Sequence, residues 1–178
     1  MRALVNTWTS PNRHLYGSVS ALEMIRLKEL TKNQGAVVEF GTLFGHTALA
    51  LAGNGATVTT VDNLSWNPFG MSKDEHREFL LRNLTGSNVT FLEGNVETVK
   101  VPSPVDMVFI DAKHDYETTA FLLEKAVVLG AKLIVAHDAS TEFPGVLDAI
   151  RLFEHTEKES YSFTREVGTL WSARARRD

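Results

Sequence analysis

Residues 37–52, VVEFGTLFGHTALALA, hold an apolar run, a short loop with two glycines and a second apolar run of helical period. This order predicts a buried strand that turns sharply and continues into a helix. Gly41 and Gly45 would permit the tight turn and the close approach of a ligand, and the start of the helix would offer free N–H groups. Because a strand-to-helix turn needs glycine in any case, a ligand-binding role and a purely structural role are both open at this point.

Short apolar runs alternate with amphipathic stretches along most of the chain, which is typical of a parallel sheet covered by helices. The stretch 160–175 differs, because it consists of two short strands joined by a tight turn near Glu166 to Gly168 and predicts an antiparallel hairpin. We therefore predict an α/β fold: a doubly wound, Rossmann-like, mostly parallel seven-stranded sheet with helices on both faces. The predicted parallel strands are Ala36–Phe40, Ala56–Val61, Asn88–Glu93, Val105–Ile110 and Lys132–His137.

Several helix starts are marked by capping residues. Ser72 stands three residues before Glu75 and matches a capping box, and Pro144 suits the first turn of a later helix. Asp115 is placed to cap the helix that follows it. His76 lies in the helix that begins after Ser72, on a face interpreted as polar, so we expect it to be solvated.

The composition limits the classes of protein that the chain can represent. At 178 residues and 43% hydrophobic residues, it suits one domain over residues 1–178. The net charge of −4 argues against a broad basic face for nucleic acid, so no nucleic-acid partner is expected.

The absence of cysteine excludes disulfides, thiolate metal sites and cysteine nucleophiles. No apolar run approaches the length needed to cross a bilayer, so we expect no membrane partner and a cytoplasmic location. The basic cluster at 173–177 is expected to be a solvated tail.

Polar residues at the ends of the first three strands suggest a nucleotide-like ligand. Asp62 follows the glycine loop by about 20 residues, the place where an acid binds ribose hydroxyls in doubly wound folds. Glu39 would repel phosphate but suits a ligand that carries an ammonium group. Asn95 could contact an adenine edge or simply complete a turn.

The next two strands end in a second polar group. Asp111 and His114 follow the fourth strand, while His137 and Asp138 end the fifth. Ligands bind at this edge of open α/β sheets, and carboxylates with imidazole suit a divalent cation such as Mg²⁺. We predict Asp111, His137 and Asp138 as metal ligands, with His114 as the catalytic general base.

The chain resembles the class I S-adenosylmethionine-dependent methyltransferases, and within them the metal-dependent small-molecule O-methyltransferases of the catechol and macrocin types. EFGTLFGHT, residues 39–47, is similar to the first motif of that superfamily, and IDAKHDY with HD, residues 110–116 and 137–138, is similar to its catalytic motif. The resemblance implies that S-adenosylmethionine (SAM) is the cofactor, with its methionine end near Glu39, Gly41, Gly45 and Thr47, its ribose at Asp62 and its adenine near Asn95. Thr42, Asn63 and Asp111 are also predicted to contact it.

The implied activity is methyl transfer from SAM to a hydroxyl oxygen of a small-molecule acceptor, assisted by a divalent cation. A nicotinamide-dependent oxidoreductase would share the strand, the glycine loop and Asp62, but would not account for Glu39, HD at 137–138 or the final hairpin. A non-catalytic accessory protein that retains the cofactor pocket is a second alternative. Many relatives form dimers, so a homodimer is also considered.

Overall fold

The computed structural model describes residues 19–66 and 70–176. Their strands form one seven-stranded sheet in the order β3-β2-β1-β4-β5-β7-β6. The first five strands in this order, β3, β2, β1, β4 and β5, pair in parallel, each with the next. Strand β7 pairs antiparallel with both β5 and β6. The predicted sheet and its final hairpin are therefore confirmed. The strands are β1 (Ala36–Phe40), β2 (Thr57–Asp62), β3 (Val89–Glu93), β4 (Met107–Ile110), β5 (Leu133–Ala136), β6 (Tyr161–Arg165) and β7 (Trp171–Ala175).

The helix starts predicted at Ser72, Asp115 and Pro144 are confirmed, and Ser20 caps a further helix. Ser20 and Ser72 each form a complete capping box, with Glu23 and Glu75 as the reciprocal partners. The side chain of Asp115 accepts a hydrogen bond from the Thr118 N–H at the start of the helix after β4. The helices are α1 (Ala21–Leu30), α2 (His46–Ala52), α3 (Lys73–Leu84), α4 (Tyr116–Val128) and α5 (Pro144–Thr156).

Helices cover both faces of the sheet. Alternate strand residues point to opposite faces, so Val38 and Phe40 pack on α4 and α5 whereas Val37 packs on α1, α2 and α3. Both faces are thus apolar at nearly every central position, which accounts for the continuous hydrophobic runs in the parallel strands. Buried polar residues in these strands are Thr59 and Thr60 in β2 and the acidic Glu39, which lies in β1 and is fully buried.

The C-terminal basic cluster does not form a solvated tail within the described residues. Ala173 and Ala175 belong to β7, Ala173 is fully buried, and the Arg176 N–H donates to the Ser160 carbonyl at 2.9 Å. The expectation was wrong because β7 lies between β5 and β6 and needs these backbone groups for pairing on both sides. Residues 177 and 178 lie outside the described part.

Across residues 19–66 and 70–176, none of the helices has the length and apolar character needed to cross a membrane.

Candidate active site

The glycines of the β1–α2 loop are required by packing within the protein. At Gly41, where φ is 97°, a Cβ atom would lie 1.9 Å from the Asp111 carbonyl oxygen. At Gly45, where φ is 79°, a Cβ would meet the side chains of Leu80 and Leu84 on α3 at 2.9 and 2.7 Å. The structural role of both glycines is thereby evident, and the contact at Gly41 places the loop directly against the end of β4.

Asp62 anchors this loop. Its Oδ2 accepts hydrogen bonds from the N–H groups of Thr42 and Leu43 at 2.8 and 3.1 Å, and its Oδ1 accepts one from the Leu64 N–H at 2.7 Å. Leu43 has φ of 47°, a left-handed conformation that is costly for a branched side chain. The carboxylate therefore holds a strained loop in place, and Oδ1 keeps one lone pair for a ligand hydroxyl.

Helix α3 holds the same loop from the other side. His76 is 1% exposed, and its Nε2 lies 2.8 Å from the Leu43 carbonyl oxygen, to which an Nε2–H would donate. The Asn83 side chain donates to the Phe44 carbonyl at 3.0 Å. The expectation that His76 is solvated was wrong. Its spacing of four from Leu80 places it on the buried stripe of α3, a signal that the sequence contained.

Glu39 is a buried carboxyl with one free oxygen. Its Oε2 accepts from the Thr60 hydroxyl, which is in turn bonded to the hydroxyl of Thr42. Oε1 has no hydrogen-bond partner. Burial, with contributions from Asp111 and Asp62, raises the pKa of Glu39 well above its usual range. An ammonium group beside Oε1 would favour the ionised form of Glu39. The free oxygen therefore suits the ammonium-bearing ligand that the sequence predicts.

The predicted polar residues at the ends of β4 and β5 form a compact cluster. His137 Nδ1 lies 3.2 Å from Asp111 Oδ1 and 3.4 Å from Asp138 Oδ2. His114 Nε2 lies 3.0 Å from Asp138 Oδ2 and 3.7 Å from Asp111 Oδ1. Parallel neighbouring strands bring these four side chains together, as the sequence predicts.

His137 occupies the buried centre of the cluster. Its side chain is 4% exposed, and its Nε2 lies 3.5 Å from Oε2 of Glu23, the buried capping residue of α1. Burial lowers the pKa of His137, but Asp111, Asp138 and Glu23 outweigh that effect and raise it to about 12. The pKa values of Asp111 and Asp138 are lowered: burial raises them, and the histidines lower them by more. Sequence reasoning missed Glu23, because its role depends on where α1 packs.

His114 is the more accessible histidine, with 30% of its side chain exposed. The ring of Phe143 lies against it, with 4.6 Å between centroids. Burial lowers the pKa of His114, and Asp111 and Asp138 more than compensate and raise it to about 9. The raised value depends on the negative charge of the two aspartates and falls when that charge is neutralised.

A divalent cation fits this cluster. Ligand atoms of Asp111, His114 and Asp138 all lie within 4.8 Å of one another. His114 Nε2 and Asp138 Oδ2 are both buried and lie 3.0 Å apart as an ion pair, without a hydrogen bond of good geometry to any group, so Asp138 Oδ2 keeps lone pairs for a cation. Glu23, Asp111 and Asp138 bring three carboxylates to the cluster, against the two imidazoles of His114 and His137, so the cluster stays negative even when both histidines are protonated. His137 itself is a less suitable ligand, because both of its nitrogens already face carboxylates; its assignment to the metal stays a prediction.

The remaining predicted cofactor residues lie around the same edge of the sheet. Thr47 is in the first turn of α2, and the exposed Asn63 accepts from the Ser65 N–H. Asn95 is exposed after β3, where its side chain accepts from the Glu97 N–H at 2.8 Å. For Asn95 the turn interpretation is thus realised, and a contact with adenine stays a prediction.

Comparison with known families decides the class of the protein. The family model described as "Methyltransferase domain" matches residues 38–139, from β1 to the residue after Asp138. The chain belongs to this methyltransferase family. The match covers more than half of the chain and includes both the glycine loop and the polar cluster, so the resemblance to class I methyltransferases is confirmed. No curated protein matches the methyltransferase significantly.

Solved structures share the fold of the methyltransferase at low sequence identity. An O-methyltransferase from Bacillus cereus, in complex with S-adenosylhomocysteine (SAH), is 20% identical, with a TM-score of 0.67, over 97% of this chain and 88% of that one. An SAH-bound methyltransferase from Podospora anserina is 17% identical, with a TM-score of 0.70, over 98% and 88%. An O-methyltransferase from Streptomyces achromogenes involved in tomaymycin synthesis, in complex with SAM, is 18% identical, with a TM-score of 0.63, over 89% and 81%.

Proposed function

We propose that the methyltransferase transfers a methyl group from SAM to a hydroxyl oxygen of a small molecule, assisted by a divalent cation. The observation that carries the proposal is the contact between the two halves of the site. Gly41 of the glycine loop packs against the backbone of Asp111, so a ligand on the loop would lie next to the polar cluster. Cofactor and acceptor could therefore meet at the end of β4, as an in-line transfer requires.

The cofactor would lie along the carboxyl ends of β1 and β2. Glu39 Oε1 is the buried acceptor available to an ammonium group, and Asp62 Oδ1 is the acceptor available to a ribose hydroxyl. When bound, SAM supplies an electrophilic methyl group, which the acceptor oxygen takes as the carbon–sulfur bond breaks with both electrons remaining on sulfur. The chain positions the reactants and contributes no covalent intermediate.

Asp111 and Asp138 would hold the cation, because Mg²⁺ prefers oxygen ligands and often binds through one or two carboxylates. A bound cation would lower the pKa of an acceptor hydroxyl. His114 would accept the proton of that hydroxyl: its Nε2 faces the two aspartates, and its side chain is exposed enough to reach an acceptor, unlike that of His137. Neutralisation of the aspartates would also bring the pKa of His114 down towards a value suited to a base.

Calorimetric titration of the protein with SAM, SAH and NAD⁺, with Mg²⁺ and again with chelator, tests the cofactor. Saturable binding of SAM and SAH is expected. Binding of NAD⁺ in place of SAM would instead support the oxidoreductase alternative.

His114→Gln tests the base, with the exposed His155→Gln as the matched control. Transfer of labelled methyl from SAM is measured on a panel of small hydroxyl compounds. For His114→Gln, kcat should fall by about 10²–10⁴ while the affinity for Mn²⁺ is kept. Loss of Mn²⁺ binding would make His114 a ligand, and SAM binding without transfer to any acceptor would favour an accessory role.

A further inference from the structure

Asp138 is held by Thr169, which lies in the turn between β6 and β7. The Asp138 N–H donates to the Thr169 hydroxyl oxygen at 3.2 Å, and the next N–H, of Ala139, donates to the Thr169 carbonyl at 2.9 Å. Asp138 has φ of 57°, a left-handed conformation that is uncommon outside glycine, although Asp adopts it more readily than most residues. The turn between β6 and β7 supports that conformation.

Glu23 connects this turn to the cluster. Its Oε1 accepts from the N–H and the hydroxyl of Thr169 at 2.7 and 3.0 Å, and its Oε2 lies 3.5 Å from His137 Nε2. The turn is fitted closely around the carboxylate, since a Cβ at Gly168 would lie 2.3 Å from Glu23 Oε1. A simple capping box needs none of these contacts.

We propose that Glu23 and Thr169 are positioning residues that fix the two aspartates of the cation site, Thr169 through the backbone of Asp138 and Glu23 through Thr169 and His137. The inference rests on the proposed function, because it concerns the same cation. Hydrogen-bond partners behind metal ligands commonly change metal affinity by 10- to 100-fold. Here such partners would couple α1 and the final hairpin to the chemistry at β4 and β5.

Thr169→Val is the first test variant, since it keeps the shape of the side chain and removes only the hydroxyl. Thr169→Ser restores the hydroxyl. Glu23→Gln is the second test variant, because glutamine can still complete the capping box of α1. Glu75→Gln is its matched control: Glu75 occupies the same capping position on α3, is exposed, and its carboxylate accepts hydrogen bonds from Ser72 of its own capping box.

The readout is Mn²⁺ affinity from electron paramagnetic resonance of the full chain, with SAH affinity and the melting temperature measured on the same samples. We expect Thr169→Val to weaken Mn²⁺ binding about tenfold or more, with Thr169→Ser close to the wild type. Glu23→Gln should weaken it as well, whereas Glu75→Gln should not, and SAH affinity should stay within about twofold throughout.

Unchanged Mn²⁺ affinity in Thr169→Val and Glu23→Gln would overturn the positioning role and leave the proposed function intact. A wild-type protein that binds SAH but not Mn²⁺ or Mg²⁺ would overturn both the positioning role and the cation part of the proposed function. If Thr169→Val and Glu23→Gln lowered the melting temperature and weakened SAH binding as strongly as Mn²⁺ binding, the two residues would have a general structural role, and the inference would also be overturned.

Discussion

Asp62→Asn separates two roles of the acid at the end of β2. The resemblance assigns Asp62 to the ribose of the cofactor, whereas the structure shows its carboxylate bonded to the N–H groups of Thr42, Leu43 and Leu64. If Asp62 acts only on the ligand, the substitution should leave the ligand-free protein unchanged. If it anchors the loop, the protein should lose stability before any ligand is added.

The magnitude follows from the three bonds. Asparagine offers one oxygen and one NH₂ group, so in either orientation at least one backbone N–H faces a donor instead of an acceptor. An unsatisfied donor costs about 1–3 kcal/mol, and the bonds that remain lose about 1 kcal/mol because the acceptor is no longer charged. Since Asp62 is half-buried, we expect a loss of about 2–3 kcal/mol, or roughly 4–12 °C in the melting temperature of a chain of this size.

The assay is urea and thermal unfolding without ligand, followed by calorimetry with SAH. Asp148→Asn is the control, because Asp148 is an exposed acid in a surface pair with Arg151 and should contribute less than about 0.5 kcal/mol. A variant that loses SAH binding but keeps the melting temperature of the wild type would refute the anchoring role.

Further predictions concern the loop, the sheet and the response to acid. His76→Phe should weaken SAH binding about fivefold, because the Leu43 carbonyl loses its buried partner, whereas His76→Gln can keep that bond; calorimetry of both variants checks this. Gly41→Ala should cost about 3 kcal/mol or more in urea unfolding, since its Cβ would overlap the Asp111 carbonyl at positive φ, and an unchanged midpoint would contradict the packing. A lysine and two backbone N–H groups lower the pKa of Asp106, so its stabilising effect is present above the unfolded pKa near 3.9 and is lost as the pH falls through the lower folded pKa. The stability difference between wild type and Asp106→Asn should therefore be seen at pH 7 and should close below about pH 3.9.

Much of the site was predictable because its residues are fixed by short-range rules. Asp111 and His137 come directly after apolar runs, Asp138 follows His137, and parallel strands align their carboxyl ends at one edge. The helix caps at Ser72 and Asp115 were likewise predictable, because capping depends on residues three positions apart.

The sequence by itself determined the order of strands and helices, the edge of the sheet where the polar side chains gather and most of the residues found there, since local periodicity and chain direction decide these. The tertiary structure decided which of those residues touch. It placed Glu23 and Thr169 behind the cluster and His76 behind the glycine loop. It also turned the basic segment at 173–175 into an inner strand. Such contacts join residues up to 146 positions apart, and no local pattern encodes the packing that brings them together.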